Sequence, residues 1–206
     1  MANVNRPAGL SPVRYLNGSP YNGAGNTYYI PSNDTNAYAI GDPMMFAGSA
    51  DARGVASVTV ATAGSTNLVL GSLLGAGGSV NGAMFGDPLN LNTTVIPATK
   101  THDYYVLIAD DPNIIFEVQE VGTGTAFTAT EVGLNCSLVA TAGANNTGHN
   151  GYVSGWLLDN STEAATAALQ MRILGLAQRS DNAFGQYAKY LCLINNHAFK
   201  VGAAGT

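Results

Sequence analysis

The chain has 206 residues, 46% of them hydrophobic and only 10% charged, with a formal net charge of −5. That size and apolar content allow a sizeable buried core. The eight Lys and Arg residues lie scattered from Arg6 to Lys200 without forming a basic stripe, which argues against nucleic-acid binding through phosphates. No run approaches the ~18 apolar residues of a membrane span. The opening residues lack the basic-then-apolar layout of a signal peptide, so synthesis in a cytoplasm without export is expected. A typical soluble domain carries ~25% charged residues. Here Asn, Thr, Ser and Gly must supply the polar surface, which suits a protein packed against copies of itself or a large partner.

Residues 1–27 are rich in Pro, Gly and Asn and suit neither a helix nor a central strand. Yet they carry Val4, Leu10, Val13, Tyr15, Leu16 and Tyr21. The segment reads as an extended arm lying on a surface, its own or a neighbour's. Residues 28–206 read as a single β-rich domain. Its short apolar or alternating runs predict strands over 28–30, 37–40, 44–46, 57–61, 67–70, 94–96, 103–109, 114–121, 134–140, 152–158, 168–178 and 187–195. Residues 71–92 read as a loop-rich, Gly-rich stretch with large apolar residues, and 141–151 as an exposed tip. Only 161–168 offers a short helical pattern. The class is therefore all-β: a β-sandwich (jelly roll) or β-barrel core with an N-terminal arm and long Gly-rich loops.

Three Asp-Pro pairs recur, at Asp42-Pro43, Asp87-Pro88 and Asp111-Pro112. Asp accepts backbone hydrogen bonds at the first position of a type I turn, Pro presets φ at the second and Asn suits the third. Asp110-Asp111-Pro112-Asn113 thus reads as the exposed corner of a hairpin joining YYVLIA to IIFEVQE, rather than a catalytic carboxylate pair. YYVLIA is apolar throughout, so it reads as buried on both faces. Its partner alternates and reads as buried on one.

No phosphate-binding loop, dinucleotide fingerprint or Gly-x-Ser-x-Gly elbow occurs. His102, His149 and His197 lack metal-ligand spacing. Glu117 and Glu120 point to opposite faces of a strand. Cys136 and Cys192 lie in apolar runs and read as buried thiols. The expectation is no enzyme, no catalytic residue, no metal and no cofactor.

Four stretches, MANVNRPAGLSPVRYLNG, YYIPSNDTNAYAIGDP, ATKTHDYYVLIADDPNIIFEVQE and LGLAQRSDNAFGQYAKYLCLINNHAF, resemble virion structural proteins of short-tailed bacteriophages. The resemblance covers nearly the whole chain. AIGDPMMFAGSADARGV, followed by SVTVA, resembles the small β-barrel decoration proteins of tailed phages. The resemblance implies a capsid decoration (cement) protein on the virion exterior, assembled in the bacterial cytoplasm. Its partners would be the major capsid protein and itself, as a homotrimer in preference to a homodimer, with no nucleic acid or membrane. It carries over no catalytic residue.

On this reading the arm at 1–27 and the loop at 71–92 reach over neighbouring subunits. The contact residues would be Val4, Leu10, Tyr15 and Tyr21 in the arm and Leu73, Leu74, Met84 and Phe85 in the loop. Loss of residues 2–20 would then spare the fold and weaken attachment. The competing readings are a head–tail joining or tail/fibre protein, and a carbohydrate-binding module using Trp156 or the tyrosines.

Overall fold

The structure, a computed structural model, describes residues 3–78, 95–140 and 154–200. The fold is all-β, as its sequence predicts. In chain order the strands are β1 (Ser11–Tyr15), β2 (Asn26–Ile30), β3 (Tyr38–Ala39), β4 (Pro43–Ala50), β5 (Ala56–Val60), β6 (Gly71–Gly78), β7 (Val95–Ile96), β8 (Tyr104–Ala109), β9 (Ile114–Gln119), β10 (Asn135–Cys136), β11 (Leu138–Ala140), β12 (Trp156–Leu158), β13 (Met171–Leu176) and β14 (Lys189–Ile194). Among the described residues the one helical element is a 3-10 turn at Ala129–Glu131, held by a Thr128/Glu131 capping box. The helical pattern at 161–168 is not realised. Ala164 instead pairs with Asn135 in an antiparallel bridge, because Asn135 supplies both backbone partners that Ala164 needs.

Two assemblies share the chain. Strands β2, β5, β4, β6 and β8 close into a barrel in that order, and β1, β9, β14, β13 and β10 form a five-stranded antiparallel sheet. The barrel interior holds Ile30, Met44, Val58, Leu73, Val106 and Ile108, with Tyr38 and Ile96 from the β3–β7 pair. The sheet presents its alternate residues to a second core. Register stacks Phe116, Cys192 and Ile173 side by side across β9, β14 and β13, and places Ile194 beside Met171 and Met171 beside Cys136. Both cysteines are buried and unpaired, as read from their surroundings. Each fully buried Leu, Ile or Phe contributes ~1.5–3 kcal/mol of transfer free energy.

The turn at 110–113 forms as its residues dictate. Asp111 O accepts from Ile114 N at 3.1 Å, and Asp111 Oδ1 accepts from Asn113 N at 2.8 Å. The expected hairpin does not form. β8 pairs with β2 and β6 in the barrel, whereas β9 pairs with β1 and β14 in the sheet. The turn is a corner between two assemblies. Nor do both its carboxylates face water: Asp111 is exposed, but Asp110 is only 4% exposed and accepts from Asn26 Nδ2 and the Tyr28 hydroxyl. β9 is also buried on both faces except at Glu117. At Gln119 the cover comes from residues 5 and 6, which the sequence pattern of β9 alone does not reveal.

Residues 71–78, read as the start of a loop, are barrel strand β6. Gly71 serves close strand approach. A Cβ added at Gly71 would lie 2.1 Å from the Ala109 carbonyl oxygen of β8. The N-terminal segment is likewise less separate than read. β1 is the edge strand of the sheet beside β9, an allowed place for Pro12, and Leu10 is completely buried in the second core.

Candidate interaction surface

Of the eight residues expected to contact a partner, the six that the structure describes do not share one exposed surface. Val4 is 59% exposed. Leu10 and Leu73 fill the two cores of their own subunit, so neither offers surface to a neighbour. Leu74, Tyr15 and Tyr21 are half-buried and pack against the second core, with the two tyrosine rings 5.8 Å apart. Met84 and Phe85 lie outside the described residues, as does the expected tip at 141–151. Trp156, proposed as a sugar platform, is 5% exposed and belongs to the core.

Val4 is held outward by a strap of polar contacts. Asn3 Nδ2 donates to the carbonyls of Ala183 and Gln186 at 2.8 and 3.0 Å, and Asn3 Oδ1 accepts from Ala183 N at 3.0 Å. Gln119 Nε2 donates to Asn5 Oδ1 at 2.9 Å, while Gln119 Oε1 accepts from Arg6 N at 2.8 Å. Between strap and sheet lies a small cleft lined by Arg6, Arg179, Asp181 and Lys189. Arg179 is forked onto Asp181 and also donates to Glu117 at 2.9 Å. Tyr187 sits here at φ 63°, an uncommon angle for a residue with a side chain.

A second outward surface lies on the barrel. Phe46 is 37%, Leu68 46% and Phe199 54% exposed. Phe46 packs edge-on between Tyr28 and Phe199, with ring centroids 5.9 and 5.8 Å away. Backbone pairing of Val69 with His197 and of Ala198 N with Val69 O (3.0 Å) brings the Leu68 and Phe199 segments together. Phe46 shares the inward face of Met44 by strand alternation. It lies beyond the last rung that β4 shares with β6, at Pro43 and Met44, so its ring emerges from the barrel instead of filling it. The sequence pattern put Phe46 in a strand but could not show where the neighbouring strand stops.

The buried ionisable groups are dispersed. Asp42, Glu120 and His197 are each at most 1% exposed, and each has one side-chain atom without a hydrogen-bond partner. Burial pushes the Asp42 carboxyl up to about 6 and that of Glu120 up to about 7. Burial, with help from Lys200, lowers His197 to about 4. Asp42 Oδ2 accepts from Ala39 N at 2.8 Å, and Glu120 Oε2 accepts from Phe127 N at 3.1 Å. These are single carboxylates tying loops to cores. Among the described residues no group of three or more His, Cys, Asp or Glu side chains is placed to hold a metal. Comparison with protein-family models, curated proteins and solved structures gave no significant match.

Proposed function

We propose that this chain is a capsid decoration protein of a short-tailed bacteriophage, binding the outside of the major capsid shell and clasping neighbouring capsomers as a homotrimer. The observation that carries the reading is the Phe46–Phe199 surface. Two large aromatic side chains, Phe46 and Phe199, stand outward in contact with each other, in a chain with only 10% charged residues. Apolar area of this kind gains ~25 cal/mol per Å² when covered. Symmetric repetition turns modest single contacts into high avidity. Val4, braced by Asn3 and Asn5, supplies a second outward anchor.

The test is co-sedimentation of the purified protein with phage heads that lack it. Saturable binding of the parent is expected, with at least tenfold weaker binding of a Phe46→Ser/Phe199→Ser variant that melts like the parent. A parent that ignores the heads, or a variant that binds equally well, would overturn the reading.

A further inference from the structure

A cavity of about 390 Å³ opens between two turns, lined by Tyr15, Leu16, Asn17, Asp111 and Asn113. Its volume falls in the range of roughly 300–1,000 Å³ found for small-ligand sites. The turns are tied together by Leu16 N donating to Asn113 O at 2.8 Å, so the cavity walls are set by main-chain structure. Part of the lining is apolar: the half-buried Tyr15 ring, braced by Tyr21, and the Leu16 side chain, 55% exposed. The rest is polar and only partly satisfied. Asp111 Oδ1 accepts from Asn113 N and Nδ2 at 2.8 and 3.1 Å, while Oδ2 has no partner among the described residues. Asn17 Oδ1 accepts from Ser19 N at 3.0 Å, which leaves its Nδ2 hydrogens for a ligand.

We propose that this cavity binds a neutral saccharide. A carboxylate acceptor beside carboxamide donors matches vicinal hydroxyls, each of which both donates and accepts. The apolar part of the lining matches the C–H face of a pyranose ring. Other ligand classes fit less well. No cationic side chain lines the cavity, so a phosphate or a sialic acid would meet Asp111 without a counter-charge. Lys200, whose Nζ lies 3.5 Å from Pro112 O, is not part of the lining. A wholly apolar ligand would strand Asp111 and both amides without partners. The inference is independent of shell binding, because the cavity shares no residue with the Phe46–Phe199 surface.

The experiment is a binding screen of the full chain against neutral hexoses, N-acetylhexosamines and their short oligomers, alongside sialylated and sulfated oligomers. Calorimetry would follow on any hit. Binding of one or more neutral sugars is expected. Asp111→Asn keeps the Oδ1 acceptor that the turn uses but replaces Oδ2 with a donor, and it should weaken binding at least tenfold with unchanged melting. Leu16→Ser should do the same through the apolar part of the lining. Asp181→Asn, in the distant cleft, should bind like the parent. Absence of binding to every neutral sugar, binding confined to the anionic oligomers, or full affinity in both Asp111→Asn and Leu16→Ser would overturn the proposal.

Discussion

Single side chains set how this protein responds to pH. Asp42 has a folded-state pKa of about 6 against an ordinary 3.8, so the folded state holds its proton more tightly than the unfolded chain does. Its favourable contribution is complete below pH 3.8 and is lost as pH rises through about 6. Glu120 acts in the same sense up to about pH 7. His197 opposes them: its pKa falls to about 4, so its contribution is complete above 6.5 and is lost as pH falls toward 4. The two carboxyls together outweigh the histidine, so the summed effect of these three groups is a loss of stability as pH rises from about 4.5 to about 7. Urea titrations of Asp42→Asn against the parent should show the variant gaining, relative to the parent, by up to about 3 kcal/mol between pH 4 and pH 8. A difference that stays constant over this range would mean that the carboxyl titrates normally. None of this was legible from composition. GDP at 41–43 announces a turn, but the burial of its aspartate depends on Leu10, Leu73 and Ser154 converging from distant parts of the chain.

At the scale of elements, the N-terminal segment and β6 carry the main corrections, and each yields a prediction. Deleting residues 2–20 removes Leu10 and β1, and with them part of the second core and the cover of one sheet edge. The truncated chain should lose its cooperative melt, whereas Asn5→Ala should fold and cost about 1 kcal/mol through the lost bond to Gln119. Circular dichroism on heating distinguishes the two outcomes, and a normal melt for the truncation would return residues 2–20 to the status of a free arm. Gly71→Ala should destabilise by ~1–3 kcal/mol, because the new methyl group meets the Ala109 carbonyl of β8. The strands themselves were readable wherever side chains alternate, as in SVTVA and IIFEVQE. β6 was not, since its glycines look like a loop when the strand that Gly71 presses against is unknown.

At the scale of the whole molecule, the all-β class was legible from punctuation alone: short apolar runs cut by Gly, Pro, Asn and Asp. Which strands pair was not. The Asp111-Pro112-Asn113 turn was read correctly as a turn and wrongly as a hairpin, because a tight reversal does not say whether its two strands lie in one sheet. The interaction residues fared as local reading allows. Val4 is outward, Leu10 and Leu73 are inward, and Phe46 was passed over because its exposure comes from where β6 stops pairing with β4. If the trimer proposal holds, light scattering of the isolated chain should give three times the 21.1 kDa subunit mass, or a concentration-dependent approach to it. A fixed subunit mass at all concentrations would remove the homotrimer from the proposal.

The corner at Asp110–Asn113 couples the two halves mechanically. β8 enters it from the barrel wall and β9 leaves it into the interior of the sheet, so tension on either half passes along one unbroken backbone into the other. Ala109 at the end of β8 is also buried in the sheet's core, together with Ala61 and Val69, so opening either half uncovers apolar surface of the other. Calorimetry should accordingly record a single heat-absorption peak, and a stretched molecule should give way in one rip rather than two.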